Sequence, residues 1–129
     1  MGEIVIRQES NAVALRDGTA VFGEVEEITS RAVGAERTNI VKVTLWGPDI
    51  LHHHEIAEET YICSGIGNGE LFIDGKIIDF TPGTRVIIKP GQLHAARPKE
   101  GSGKIIFLCV SSPAFNPADV FEDPRRRNW

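Results

Sequence analysis

The chain has 129 residues, of which 41% are hydrophobic and 25% are charged, and its formal net charge is -4. This length and composition predict one globular domain that buries a core without disulfides, and they exclude a disordered chain. The weak negative charge comes with no basic stripe that would neutralise phosphates, which argues against nucleic acid as a partner.

Targeting and cysteine patterns give two further expectations. No stretch reaches the roughly 18 consecutive apolar residues of a membrane-spanning helix, and the first ten residues lack the order of a signal peptide. We therefore expect a cytoplasmic protein with no membrane partner. Cys63 and Cys109 lie far apart and belong to no CxxC pair, so we interpret both as reduced, buried, small hydrophobic residues.

Short runs rich in β-branched residues, interrupted about every eight to twelve residues by Gly, Pro, Asp or Asn, predict an all-β sandwich or barrel. No segment carries a sustained helical period. The predicted strands, in chain order, are Glu3–Arg7, Val13–Leu15, Ala20–Phe22, Asn39–Leu45, Glu59–Cys63, Gly69–Ile73, Lys76–Asp79, Arg85–Ile88, His94–Ala96 and Lys104–Val110.

Several turns between these strands have clear sequence signals. The pairs Asp17-Gly18 and Asp74-Gly75 supply the positive φ angles of tight hairpin turns, so both predict β-hairpins. Pro82-Gly83 and Pro90-Gly91 predict two more turns between extended segments.

We expect residues 112–129 to form a C-terminal extension of the same domain. Pro113 and Pro117 exclude a central strand there, and residues 117–121 form at most one helical turn. The basic run at residues 125–127 is typical of a solvated tail, and we assign it no role. No repeat or linker divides the chain, so residues 1–129 are expected to form a single domain.

The histidines are the most informative residues, because His52, His53 and His54 are consecutive and His94 is the fourth and last. Side chains alternate along a strand, so residues 52 and 54 project to one side and residue 53 to the other. Glu58 begins the next extended run, and a reversal of the chain would bring its carboxylate against the two imidazoles. Imidazole and carboxylate ligands suit divalent Mn, Fe, Co, Ni, Cu or Zn.

Two segments carry a family resemblance. Residues 47–65, with Gly47, the HxH of residues 52–54, Glu58 and Gly65, resemble the first cupin motif. Residues 83–98, with Gly83, Gly91 and His94, are similar to the second. The chain departs from the family pattern in three places: the spacing from Gly47 to His52 is one residue short, Lys89 stands where Pro is preferred, and Pro98 stands where Asn is preferred.

The resemblance implies a double-stranded β-helix, or jelly-roll, barrel that holds one divalent transition metal, whether Fe, Mn, Ni or Zn. The implied ligands are His52, His54, Glu58 and His94. Glu59 is the alternative to Glu58, because the family tolerates either gap after HxH, and the six residues between Glu58 and Gly65 favour Glu58. Small cupins also pair their barrels, so the resemblance implies a homodimer, for which Glu3–Arg7 is a candidate interface strand.

Function follows less directly, because one fold supports many chemistries. Three imidazoles and a carboxylate leave roughly two positions open on an octahedral ion, which favours a small-molecule dioxygenase or other oxygenase. Its substrate would be an organic acid, phenol, diketone or sugar-derived compound. The alternatives are a redox-neutral lyase or isomerase and a non-catalytic ligand-binding or sensor module. Arg85, Lys89, Gln92 and Arg97 are candidates to orient an anionic substrate, although solvated surface positions are the favoured interpretation.

Overall fold

The computed structural model describes Ile4, residues 11–30, 34–35 and 37–129. Apart from Ile4, the predicted strand Glu3–Arg7 lies outside the described residues. The strands of the described part are β1 Ala12–Asp17, β2 Ala20–Thr29, β3 Asn39–Leu45, β4 His52–His53, β5 Glu58–Ile66, β6 Gly69–Ile73, β7 Lys76–Phe80, β8 Arg85–Ile88, β9 His94–Pro98, β10 Ile105–Ser112 and β11 Phe121–Glu122.

The strands form two antiparallel sheets. One has the order β1-β2-β3-β10-β5-β8 and the other the order β11-β4-β9-β6-β7. Because β4 lies in the second sheet while β3 and β5 lie in the first, the chain crosses between the sheets as it does in a jelly roll. The predicted all-β, double-stranded β-helix architecture is confirmed.

Both predicted Asp-Gly hairpins are present. In the β6–β7 hairpin the two loop residues have positive φ angles, 47° for Asp74 and 83° for Gly75, as a type I′ turn requires. In the β1–β2 hairpin Asp17 pairs with Ala20, and Gly18, with a φ of 61°, is the first of the two loop residues. A glycine in that position suits a type II′ turn.

The main core lies between the sheets. Alternate residues of β5 and β10 point inward, as the buried side chains of Tyr61, Cys63, Phe107 and Cys109 show. Tyr61 packs against Phe107 with ring centroids 4.8 Å apart. The remaining fully buried side chains of this core include Leu45, Leu71, Phe80, Ile88 and Ile105.

A second apolar cluster lies against the tail of the chain. Leu51, Phe72 and Ala95 are buried there, and the ring of Trp129 packs against them. Partial burial of the Trp129 ring holds this residue against the β4–β9–β6 side of the barrel.

The basic run is fixed in the same way, so the interpretation of a free solvated tail is corrected. Arg126 forms an ion pair with Asp17 at 3.0 Å. Arg127 donates from Nε to the carbonyl of Pro48 at 2.7 Å and lies over the ring of Phe22. The expected helical turn is a single 3-10 turn at Pro117–Asp119.

No helix in the described part of the chain is long and apolar enough to cross a membrane. The homodimer stays a prediction. We expect sedimentation at micromolar concentration to give about twice the chain mass of 14.2 kDa, because an edge strand needs a partner to avoid aggregation. A monomer in that experiment would contradict the prediction.

Candidate metal centre

The three predicted histidine ligands meet between adjacent strands. His52 on β4 is the register partner of His94 on β9, and their ring centroids are 4.4 Å apart. His54 follows β4 directly, and its ring centroid is 5.4 Å from that of His94. His53 projects elsewhere and stacks on Phe121, with ring centroids 5.1 Å apart. The predicted alternation of the three consecutive histidines is therefore confirmed.

The carboxylate in this cluster belongs to Glu59, which corrects the choice of Glu58. The Oε1 atom of Glu59 lies 2.9 Å from Nε2 of His54 and 3.0 Å from Nε2 of His94. The Glu58 side chain is 48% exposed and pairs with Nζ of Lys89 at 2.7 Å. Residues 59, 61 and 63 form the inward face of β5, so the sequence assignment was out of phase by one residue.

Backbone carbonyls fix the orientation and tautomer of all three rings. Nδ1 of His52 contacts the carbonyl of Ile50 at 2.7 Å, Nδ1 of His54 that of Asp119 at 2.8 Å, and Nδ1 of His94 that of Gln92 at 2.9 Å. A carbonyl oxygen only accepts hydrogen bonds, so each Nδ1 is the protonated nitrogen. In the neutral ring, each Nε2 then keeps a lone pair for a ligand.

This arrangement brings electron pairs of the His54 and His94 rings against the negatively charged carboxylate of Glu59. With Nδ1 protonated, two neutral rings point Nε2 lone pairs at one carboxylate oxygen. Nε2 of His54 is buried and has no hydrogen-bond partner of acceptable geometry among the described residues, although Oε1 of Glu59 is only 2.9 Å away. Two extra protons or one cation relieve the repulsion between these atoms.

A divalent ion fits these donors. Ligand atoms of His52, His54, Glu59 and His94 all lie within 4.8 Å of one another. Donors bound to one transition metal at about 2.1 Å and at right angles lie about 3 Å apart, close to the 2.9 and 3.0 Å separations around Oε1. These four residues are therefore the candidate metal ligands of the described part of the chain.

The pKa directions in the metal-free site agree with this interpretation. Burial lowers the pKa of His52 to about 3, assisted by the neighbouring His94, so this ring is neutral and ready to bind a metal. Burial opposes ionisation of Glu59, but the close contacts with His54 and His94, which favour the carboxylate when these rings are protonated, outweigh it and lower its pKa. Burial also opposes a charged His54, and contact with Glu59 outweighs that effect and raises its pKa.

The second oxygen of Glu59 is held by two donors on β10. Sγ of Cys109 lies 3.1 Å and Oγ of Ser111 lies 3.2 Å from Oε2 of Glu59. Burial and the nearby carboxylate raise the pKa of Cys109 well above its usual value, so its thiol stays protonated and donates. Cys109 is buried and unpaired with another cysteine, as predicted, yet it orients Glu59 rather than merely filling space.

Asp119 is a functional residue that the sequence did not reveal. Its carboxylate accepts the backbone N–H groups of Glu55, Ile56 and Ala57, which form the loop between β4 and β5. Its carbonyl accepts from Nδ1 of His54. Burial opposes ionisation of Asp119, and the three amides outweigh it and lower the pKa. The residue thus fixes the loop that joins two ligand-bearing segments.

We expect Asp119→Asn to lower the affinity for Zn²⁺ by about tenfold, because loss of one outer partner of a metal ligand typically costs 10- to 100-fold in affinity. An amide presents one oxygen and one N–H₂ to three backbone donors, so the loop loses part of its anchor. Asp123→Asn is the control, because that carboxylate pairs with Arg125 on the same tail. Equal affinities for both variants by titration calorimetry would contradict the prediction.

A cavity of about 670 Å³ adjoins the cluster. His52, His54 and Glu59 line it, and β1, β2, β3 and β10 supply most of its other walls. A volume of this size is typical of small-molecule sites. The arrangement therefore gives a bound ion direct access to a ligand in the cavity.

Asp49 adds a second carboxylate to the cavity wall. Its Oδ1 accepts the backbone N–H of Ile50 at 2.7 Å, and its carbonyl accepts from Nε1 of Trp129 at 2.8 Å. Burial raises the pKa of Asp49 to about 6, against a smaller lowering by the Ile50 amide. Asp49 lies within the first motif, but no feature of the sequence singled it out. A carboxylate with such a pKa can exchange protons near neutral pH.

The sequence matches no protein-family model, and no curated protein matches it. Solved structures do resemble it. The polyketide cyclase RemF from Streptomyces resistomycificus has a TM-score of 0.73 at 21% identity, covering 95% of this chain and 85% of its own. Pac13 from Streptomyces, described as a unique nucleoside dehydratase, has a TM-score of 0.72 at 13% identity, covering 95% of this chain and 92% of its own.

The description of a third similar structure states its fold. A protein with a double-stranded β-helix domain from Klebsiella pneumoniae has a TM-score of 0.66 at 20% identity, covering 84% of this chain and 90% of its own. Identities this low show the fold alone. The chain therefore has a double-stranded β-helix fold, and its chemistry has to be inferred from its own site.

Proposed function

We propose that this chain is a metal-dependent enzyme that binds one divalent transition metal through His52, His54, Glu59 and His94 and acts on a small organic molecule. The observation that carries the proposal is the convergence of three imidazoles, each with Nδ1 held by a carbonyl, on one carboxylate oxygen. A structural cluster would have no need of a cavity beside it, and this one opens onto 670 Å³ of space.

Different residues of the chain would have different roles in the reaction. Cys109 and Ser111 hold one oxygen of Glu59, so the other faces the histidines. The apolar walls exclude water from the ligand, and Asp49 holds or accepts a proton within the same cavity. A bound divalent metal would supply Lewis acidity, which stabilises negative charge developing on a substrate oxygen.

Redox-neutral chemistry, as in a lyase or isomerase, is the leading reaction class. Asp49 favours it, because lyase and isomerase reactions move a proton and need a group whose pKa lies near the working pH. One structural neighbour is described as a unique nucleoside dehydratase, and loss of water leaves oxidation states unchanged. This ranking reverses the order that the sequence suggested.

Oxygenase activity remains the second candidate, because the same donor set also suits redox-active iron. Three imidazoles and one carboxylate leave roughly two positions on an octahedral ion for a bidentate ligand, or for substrate and dioxygen. The carboxylate of Glu59 also lowers the net charge of the site and makes a bound ion easier to oxidise.

Reconstitution with different metals separates the two classes. Metal-free protein is loaded with Fe²⁺ or Zn²⁺ and assayed with diketones, phenols and hydroxy acids, with and without air. We expect the zinc-loaded protein to turn over its substrate equally fast with and without air, because Lewis-acid chemistry needs no redox change. Turnover that requires both iron and oxygen would instead establish the oxygenase. Tight ligand binding without turnover of any compound would reject an enzyme and favour a sensor.

A further inference from the structure

The walls of the cavity are mostly apolar. Side chains from three neighbouring strands of the first sheet and from β1 surround the space in front of the ligand cluster. The principal apolar wall residues are Leu15, Phe22, Val25, Val41, Val43 and Phe107. Such walls gain free energy from an apolar guest and offer few partners to the hydroxyl groups of a sugar.

Acidic side chains dominate the charged part of the lining. Glu27, Asp49, Glu59 and Glu122 line the cavity, and Arg16 is the one lysine or arginine among its lining residues in the described part of the chain. Arg16 is exposed, whereas Glu59 is buried. Among the described residues, the buried part of the lining therefore has no lysine or arginine for a substrate carboxylate.

The basic residues near the second motif, Arg85, Lys89 and Arg97, are not among the described residues that line the cavity. Lys89 pairs with Glu58, and Arg97 pairs with Glu70 and donates to the carbonyl of Trp129. The candidate role of these residues in orienting an anionic substrate finds no support in their positions.

Charge balance leads to the same conclusion. One divalent cation is offset by the carboxylates of Glu59 and Asp49, so the inner site is neutral when both are ionised. An uncharged guest preserves this balance, and a proton passed from the guest to Asp49 preserves it too. A dicarboxylate adds two negative charges to a poorly solvated space that already contains acids, which is unfavourable.

We infer that the cavity binds an uncharged molecule with an apolar body and two neighbouring oxygens at one end, as in a β-diketone or an ortho-substituted phenol, and discriminates against dicarboxylates. The inference rests on the proposed metal site and selects among the substrate classes that the sequence left open. A neutral diketone or phenol also carries the acidic proton that Asp49 is placed to accept.

Binding of three probes to the Zn²⁺-loaded protein tests the inference by calorimetry, with zinc retention checked by elemental analysis. Benzoylacetone has both features, acetylacetone lacks the phenyl ring, and benzylmalonate is a dianion of similar size. We expect benzoylacetone to bind at least tenfold more tightly than either of the others, because burying the ring is favourable and burying two charges is not.

Benzylmalonate binding as tightly as benzoylacetone would overturn the charge argument, and acetylacetone binding as tightly would overturn the apolar-wall argument. Zinc binding is measured first, without any probe. A protein that fails to bind zinc rejects the proposed function, whereas one that binds zinc and shows the wrong probe preference rejects only this inference.

A pair of lysine substitutions on β1 tests the cavity wall directly. Leu15→Lys introduces a cation into the lining, and Val13→Lys introduces one at a position that is 63% exposed on the same strand. We expect Leu15→Lys to shift the benzylmalonate-to-benzoylacetone affinity ratio at least threefold towards the anion and Val13→Lys to leave it within twofold. Equal shifts would overturn the assignment of the wall. The wild-type ratios decide the inference if Leu15→Lys does not fold.

Discussion

Glu59→Gln is expected to lower the affinity for Zn²⁺ at least 100-fold, whereas Glu58→Gln is expected to leave it within twofold. The first change removes the charge that faces His54 and His94 at 2.9 and 3.0 Å. The second removes only an exposed ion pair with Lys89, and such pairs contribute little. Calorimetric titration of both metal-free proteins with Zn²⁺ measures the difference.

The two variants are matched controls, because adjacent residues receive the same isosteric change. Glutamine at position 59 can still accept from Cys109 and Ser111, so the comparison isolates the ligand oxygen and its charge. A large loss in Glu58→Gln with retention in Glu59→Gln would restore the assignment made from the sequence and contradict the register of β5.

The histidines provide a second matched pair in the same experiment. His52→Ala is expected to weaken zinc binding as severely as Glu59→Gln, and His53→Ala to bind almost as well as the parent chain. His53 stacks on Phe121 and is absent from the ligand cluster. The reverse result would mean that β4 is out of register by one residue.

Much of the fold could be predicted because it depends on local signals. The Asp74-Gly75 pair specifies its own hairpin, and the run of β-branched residues at Asn39–Leu45 became β3 with the predicted bounds. Strand β11 was missed, and β4 was expected only as the alternation of its histidines, because each strand has two residues and the two pair across about 70 positions of sequence.

The wrong choice of glutamate had a local cause. Glu58 was favoured because six residues separate it from Gly65, and it was taken as the start of an inward face. Apolar residues occur in both phases of β5, because Ile62 shares the phase of Glu58, whereas Tyr61 and Cys63 share the phase of Glu59. The inward face of β5 is therefore evident only from the residues that the folded chain buries.

The roles of Asp119 and Asp49 could not have been predicted from local sequence patterns. Asp119 is more than 60 positions from the amides that it accepts, and the sequence gives no sign of that contact. Asp49 has no distinguishing feature in the sequence, because its contact with Trp129 and its place in the cavity wall exist only in the folded chain. Long-range contacts of this kind become visible only when the chain is folded.

Asp49→Asn is expected to lower turnover about 100-fold or more and yet to stabilise the metal-free protein at pH 7 to 8. Loss of a general acid or base typically costs 10²- to 10⁴-fold in rate. The stability effect has the opposite sign, because burial disfavours the charged carboxylate and raises its pKa from 3.8 to about 6.

The pH window follows from these two values. The folded chain binds the proton more tightly than the unfolded chain, so the ionised carboxylate destabilises the fold increasingly as the pH rises from 3.8 to about 6 and fully above it. Linkage sets an upper limit of about 3 kcal/mol, and we expect about 1 to 2 kcal/mol after solvent screening. The gain in Asp49→Asn should therefore be present at pH 7 to 8 and nearly absent at pH 4.

Urea unfolding at both pH values, with a chelator present, measures this gain without any knowledge of the substrate. Asp119→Asn is the contrasting variant, because the lowered pKa of Asp119 stabilises the fold above 3.8 and that stabilisation is lost as the pH falls. The asparagine variants should thus change stability in opposite directions at pH 7. A destabilised Asp49→Asn at that pH would mean that Asp49 supports the fold through its contacts, and a proton-transfer role would lose its physical basis.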